Sequence, residues 1–95
     1  MELYDLLQSE AVKVVAAASS KKRVLHDMAQ LAANRYNMRS EVLLEALLER
    51  EKLGPTGVGH GVALPHARSI DVDRVCGAFI LLESPVDFGS VDKLP

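Results

Sequence analysis

The sequence has no dominant charge, no second cysteine and no long apolar run, and each shortage removes a class of protein. With 11 basic and 13 acidic residues the net charge is −2, which gives no field for holding nucleic acid or an anionic membrane. The single Cys76 cannot close an internal disulfide. Set in an apolar run, it reads as a small buried hydrophobe, at home in a reducing cytosol. The longest uninterrupted apolar stretch, Val75 to Leu82, is far too short to span a bilayer. The chain opens Met1-Glu2-Leu3-Tyr4-Asp5, acidic where a secretory signal is basic, so the expected location is the cytoplasm, with no membrane insertion. The 95 residues have room for one domain, 1-95, whose core has little margin. No internal repeat, low-complexity segment or linker divides it.

What is present is a pattern of short alternating segments. Leu3, Leu6 and Leu7 allow a single helical turn, and Val12 to Ala16 reads as a short strand. Ser19 or Ser20 can cap a helix from Lys21, in which Val24, Leu25, Met28, Leu31 and Ala32 recur at helical spacing until Asn34 to Asn37 end it. His26 falls opposite Met28, on a face that reads as solvated. Ser40 is an acceptable N-cap for a second helix, with Glu41 in its first turn and an end at Lys52 or Leu53, before Gly54-Pro55. Glu41, Glu45 and Glu49 line one solvated face, and leucines fill a wide arc. Arg50 stands within that apolar arc, at i+7 from Leu43 and i+3 from Leu47. Three readings are open for it: snorkelling along apolar surface, capping the helix carbonyls, or reaching an internal anion site.

The chemistry is concentrated in Gly57-Val58-Gly59-His60-Gly61-Val62-Ala63-Leu64-Pro65-His66-Ala67-Arg68. Alternate glycines free the backbone and let main-chain N–H groups approach an anion. Val62 to Leu64 reads as a short strand that Pro65 stops, so His66 is delivered at a strand end. A neutral imidazole nitrogen held there is a competent nucleophile near pH 7. His60 and His66 do not read as a metal pair, because no third ligand is visible and their spacing fits no common zinc pattern. Asp71 and Asp73 read as turn and solvent residues. Val75 to Leu82, apolar at odd and even positions, reads as a strand covered on both faces. Val86 to Pro95 reads as an extended or turn-rich tail.

The string from Arg50 through Glu51-Lys52-Leu53-Gly54-Pro55-Thr56 to Pro65-His66 closely resembles the phosphorylation site of enzyme IIA domains of the bacterial phosphotransferase system. The resemblance runs from Met1 to Pro95 and is strongest to the nitrogen-regulatory branch of the fructose and mannitol type. It implies an α/β fold, a three-layer mixed β-sheet flanked by helices, here lacking its C-terminal third. It implies that His66 accepts a phosphoryl group from a histidine-containing phosphocarrier protein and that Arg50 helps bind it; N–H groups around Gly59, His60 and Gly61, with Thr56 as a minor donor, are the further expected phosphate contacts, and a phosphohistidine donor calls for no metal or other cofactor. Ala67 stands where glycine often follows the histidine, and His60 where a short polar residue is usual. Two further readings stay beside the phosphocarrier: a regulatory module that touches other proteins, and a sugar-transport component that passes phosphate to a IIB partner. An open sheet edge left by the absent third points to self-association.

Overall fold

The computed structural model describes residues 11–71 and 74–95; the helical turn expected at residues 3–7, and Asp73, lie outside them. The β-branched run Val12–Val15 forms strand β1, one residue shorter than expected. Lys21–Tyr36 forms helix α1. Ser20 is its N-cap, with an extended backbone and an Oγ that accepts from the Arg23 amide at 3.2 Å. Asn37 closes it in the left-handed region at φ 57°, and the amide of Met38 also returns to the Ala33 carbonyl at 3.1 Å, the usual way to satisfy end carbonyls.

Helix α2, Ser40–Leu53, begins differently from expectation. Its N-cap is Arg39, which makes no side-chain cap bond, and Ser40 is already the first helical residue. The head of α2 is instead held from outside. Asp71 accepts from the Arg39 amide at 3.0 Å and from its guanidinium at 3.1 and 2.8 Å. Asp71 is therefore an ion-pair residue and not a free turn carboxylate. The hydrogen bonds from the Arg39 side chain and amide hold its carboxyl below the usual range, and the same pairing raises Arg39.

Gly57–Gly59 (β2) and Val62–Ala63 (β3) pair antiparallel as a small hairpin, and Phe79–Leu82 (β4) pairs parallel with β1 in the register Val12↔Phe79 to Val15↔Leu82. The architecture is mixed α/β, with two two-stranded sheets among the described residues. The core is small: Val24 and Leu25 of α1 meet Phe88, with Leu44, Leu48, Leu82 and Val86 packed around them. Phe88 is only 6% exposed, so the segment read as a tail supplies a central core residue.

Two expectations fail here. The strand runs from Phe79 and not from Val75, and it is not covered on both faces: Val12, Val14, Phe79 and Leu81 remain about half exposed. In parallel register these four residues share one face of the sheet. Among the described residues the apolar surface left open is thus a sheet face, and Val24 and Leu25 of helix α1 pack against Leu82 on the opposite, inward side.

The alternate glycines also have another use than receiving an anion. A Cβ added at Gly57 would overlap Ser90 Oγ, and one added at Gly59, where φ is +92°, would meet Asp92 Oδ2 at 3.3 Å. The missing side chains make room for residues 90–92 of the chain itself. The hairpin turns at His60 and Gly61, both at positive φ. The His60 amide donates to Asp92 Oδ2 at 3.0 Å. That amide and the Leu94 amide hold the Asp92 carboxyl below the usual range.

Candidate functional site

Residues 64–71 leave the hairpin as a segment without regular structure, ending in a turn at Ile70 and Asp71 and tied at both ends to α2. At one end Asp71 grips Arg39, and at the other His66 meets Arg50. The earlier residue of the segment meets the end of α2 and the later one its head, so the segment runs antiparallel to α2 and holds the histidine against the helix's last turn. His66 stands beyond the strand end at Ala63, anchored from this side and not by a ladder.

The imidazole is fixed through both nitrogens. Nδ1 lies 3.0 Å from the Leu64 carbonyl, and Nε2 lies 3.3 Å from Arg50 Nε. A carbonyl only accepts and a guanidinium only donates, so Nδ1 carries the proton and Nε2 presents its lone pair. This is the tautomer that in-line attack by Nε2 requires. Arg50 also donates from Nη1 to the Gly54 carbonyl at 2.8 Å, capping the end of α2. Of the three sequence readings for Arg50, the Gly54 bond is a cap of the helix end, and the His66 bond sets the same guanidinium beside the imidazole.

Arg50 and His66 line one groove of about 430 Å³ with Ala46, Glu49, Leu53, Ala67 and Arg68. The other expected phosphate-binding residues do not line it. Thr56 is 5% exposed, with its hydroxyl and amide both donated to the Glu51 carboxylate and its carbonyl taken by the Leu64 amide at 3.0 Å. Gly59, His60 and Gly61 form the hairpin and its turn, where the His60 amide serves Asp92. They set the path of the chain, while the groove itself takes its polar groups from α2 and residues 66–68. His26 also departs from expectation. Its side chain is 41% exposed, but Nδ1 is buried, and the ring lines a small cleft with Ser40, Glu41 and Leu44 at the far end of α2.

Sequence reasoning passes over the ion pair behind the groove. Lys21 Nζ, at the start of α1, lies 2.5 Å from Glu51 Oε2, donates to the Phe88 carbonyl at 3.2 Å and stands 5.3 Å from the Phe88 ring. One side chain thus joins both helices to the core phenylalanine. Lys21 and Glu51 are separated by two helices in sequence, so only the capped helix start hints at the position. Burial pushes the Glu51 carboxyl up. The Lys21 and Thr56 hydrogen bonds and the lysine charge outweigh it and leave the carboxyl below the usual range.

That depression gives a stability signature. A carboxylate with a lowered folded pKa stabilises the fold fully above its unfolded value of about 4.3, and the contribution is lost as pH falls through the lower folded value. Glu51→Gln should therefore cost about 2 kcal/mol at pH 7 and flatten the acid limb. The cost is below that of a fully buried pair because Lys21 is 28% exposed. Urea unfolding at pH 7 and at pH 3 checks both parts; an unchanged difference between the two pH values would refute the assignment.

Residues 5–95 match the family model described as "Phosphoenolpyruvate-dependent sugar phosphotransferase system, EIIA 2". The whole chain is 38% identical over 96 residues to a nitrogen regulatory protein of Klebsiella oxytoca, of which it spans 59%. It is 32% identical over 97 residues to the fructose-specific EIIABC component of Bacillus subtilis, spanning 15% of that longer protein. The crystal structure of nitrogen regulatory protein IIA-Ntr from Neisseria meningitidis superposes with a TM-score of 0.87 at 35% identity, over 96% of this chain and 62% of the other. The chain spans about three-fifths of the length of the nitrogen regulatory relatives. With a Pro-His pair held against a helix-end arginine in an α/β frame, this chain belongs to the EIIA 2 family of the phosphotransferase system and fits its nitrogen-regulatory branch.

Proposed function

We propose that the chain is a regulatory phosphocarrier, accepting a phosphoryl group on His66 Nε2 from the phosphohistidine of a small carrier protein. The observation that carries this reading is the doubly held imidazole, with its proton on Nδ1 against Leu64 and its lone pair on Nε2 facing Arg50. In the step, Nε2 attacks phosphorus as the donor's N–P bond breaks, and the electron pair returns to the donor imidazole. The Nδ1 proton stays directed at the Leu64 carbonyl, which spreads the positive charge that His66 gains. Arg50 releases Nε2 and turns its N–H groups to the equatorial phosphoryl oxygens, where negative charge is concentrated.

A protein donor suits the surroundings. Leu53 and Leu64 flank the histidine at 85% and 60% exposure, apolar surface of the kind that a macromolecular partner covers. The regulatory role rests on the nitrogen-regulatory relatives, and its targets are other proteins, in the cytoplasm; among the described residues no helix is long and apolar enough to cross a membrane. A second reading, transfer onward to a IIB partner in sugar uptake, is favoured by the EIIABC relatives.

The test is labelled phosphoryl transfer from a reconstituted carrier cascade. The label should appear on the chain, labile in acid and stable in base, as a phosphoramidate is and an acyl phosphate is not. No label, or a base-labile one, would overturn the reading. Chase into a IIB domain separates the sugar-transport alternative.

A further inference from the structure

Beside the nucleophile and its arginine, the groove holds a second guanidinium. From Leu64 to Arg68 exposure alternates: Leu64, His66 and Arg68 are exposed, Pro65 and Ala67 half-buried. In extended chain, residues two apart project to the same side, so Arg68 emerges on the side that carries His66, and both line the groove with Arg50. The cations of both helix ends that flank α2 and its groove are engaged. Arg39 is bound to Asp71, Lys52 to Glu49 at 2.8 Å, Lys21 to Glu51, and Arg50 to His66 and Gly54. Among the described residues Arg68 has no ion-pair or hydrogen-bond partner. The one carboxylate lining the groove, Glu49, is already engaged by Lys52.

We propose that Arg68 is a second phosphoryl-binding residue, closing on the transferred group from the side opposite Arg50. The inference rests on phosphoryl transfer at His66 and adds a contact to it. A phosphoryl group in transit has three equatorial oxygens to satisfy. Arg50 meets them with a guanidinium that still serves the Gly54 carbonyl, so its fork is not wholly available. A guanidinium on the strand side supplies the remaining donors in the planar geometry that phosphate oxygens accept. The bonds made and broken are unchanged: N–P forms at His66 Nε2, N–P breaks at the donor, and Arg68 only binds charge.

The experiment compares two donors, the phosphorylated carrier protein and phosphoramidate, which has no docking surface. Label at His66 is followed in the parent chain, Arg68→Ala and Arg68→Lys, with circular dichroism confirming equal folding. Arg68→Ala should slow labelling by about tenfold with both donors, less than a buried oxyanion donor costs because Arg68 is exposed. Arg68→Lys should recover part of the rate. The loss should persist at saturating phosphoramidate, in kcat and not KM alone. Slowing with the protein donor only would make Arg68 a docking contact and overturn the proposal, and parent rates with both donors would do so outright. A parent chain that neither donor labels at His66 would instead remove the proposed function itself, a distinguishable result.

Discussion

His66→Ala should take up no phosphoryl label from the phosphorylated carrier, while His26→Ala and His60→Ala are labelled at the parent rate. The chain has 3 histidines, and only His66 has its ring nitrogens set by a carbonyl on one side and a guanidinium on the other. His60 sits in the hairpin turn at φ 58°, with its amide spent on Asp92. His26 lines the cleft at the head of α2 with Ser40, Glu41 and Leu44, roughly 9 to 15 Å along the helix from Arg50. Label that survives in His66→Ala and is labile in acid would move the nucleophile to another histidine. His66→Gln, which keeps an acceptor near Arg50, should be equally unlabelled and folded like the parent, separating loss of the nucleophile from loss of packing.

Arg50→Ala should slow labelling by about a hundredfold or more, the scale on which a transition-state charge donor is felt. The guanidinium hydrogen-bonds His66 Nε2, so in the proposed transfer the negative charge on the moving phosphoryl group would have Arg50 as its first partner. The same substitution frees the Gly54 carbonyl that Nη1 caps, a cost of about 1 kcal/mol that melting temperature reports independently of rate. Arg50→Lys should restore charge without the planar fork and recover only part of the rate. Labelling of Arg50→Ala at the parent rate would reduce the residue to a helix cap.

Local signals carry much of the fold. The caps of α1, both helix spans and β1 follow from propensity, periodicity and Ser, Asn and Gly at the ends. The pairing of His66 with Arg50 is legible because helix end, hairpin and histidine are close in the chain. What the sequence hides is long-range. Phe88 gives no periodic signal, a lone aromatic in a polar stretch, yet it fills the core. Asp71 looks like a turn residue because nothing local announces Arg39 32 positions away. The glycines are ambiguous because backbone room for an anion and room for Ser90 leave the same mark in a sequence. Val75 to Leu82 misleads because an apolar run records what a strand can bury, and the face with Phe79 and Leu81 has nothing over it among the described residues.

Gly57 and Ser90 bear on how this chain and its relatives can diverge. The two positions occupy one shared volume: a methyl at 57 strikes Ser90 Oγ and Cβ, with the Ser90 backbone behind them at 3.1 Å. Neither site can grow alone, and shrinking position 90 to glycine returns most of the space while the backbone there still presses on the new methyl. Drift at this spot is therefore a paired event, in which the residue facing the hairpin loses bulk before position 57 gains it. Position 59 follows a harder rule. Its φ of +92° excludes a side chain even where Asp92 is shortened. Among sequences sharing this hairpin, position 57 should covary in size with position 90, and position 59 should stay glycine whatever stands at 92.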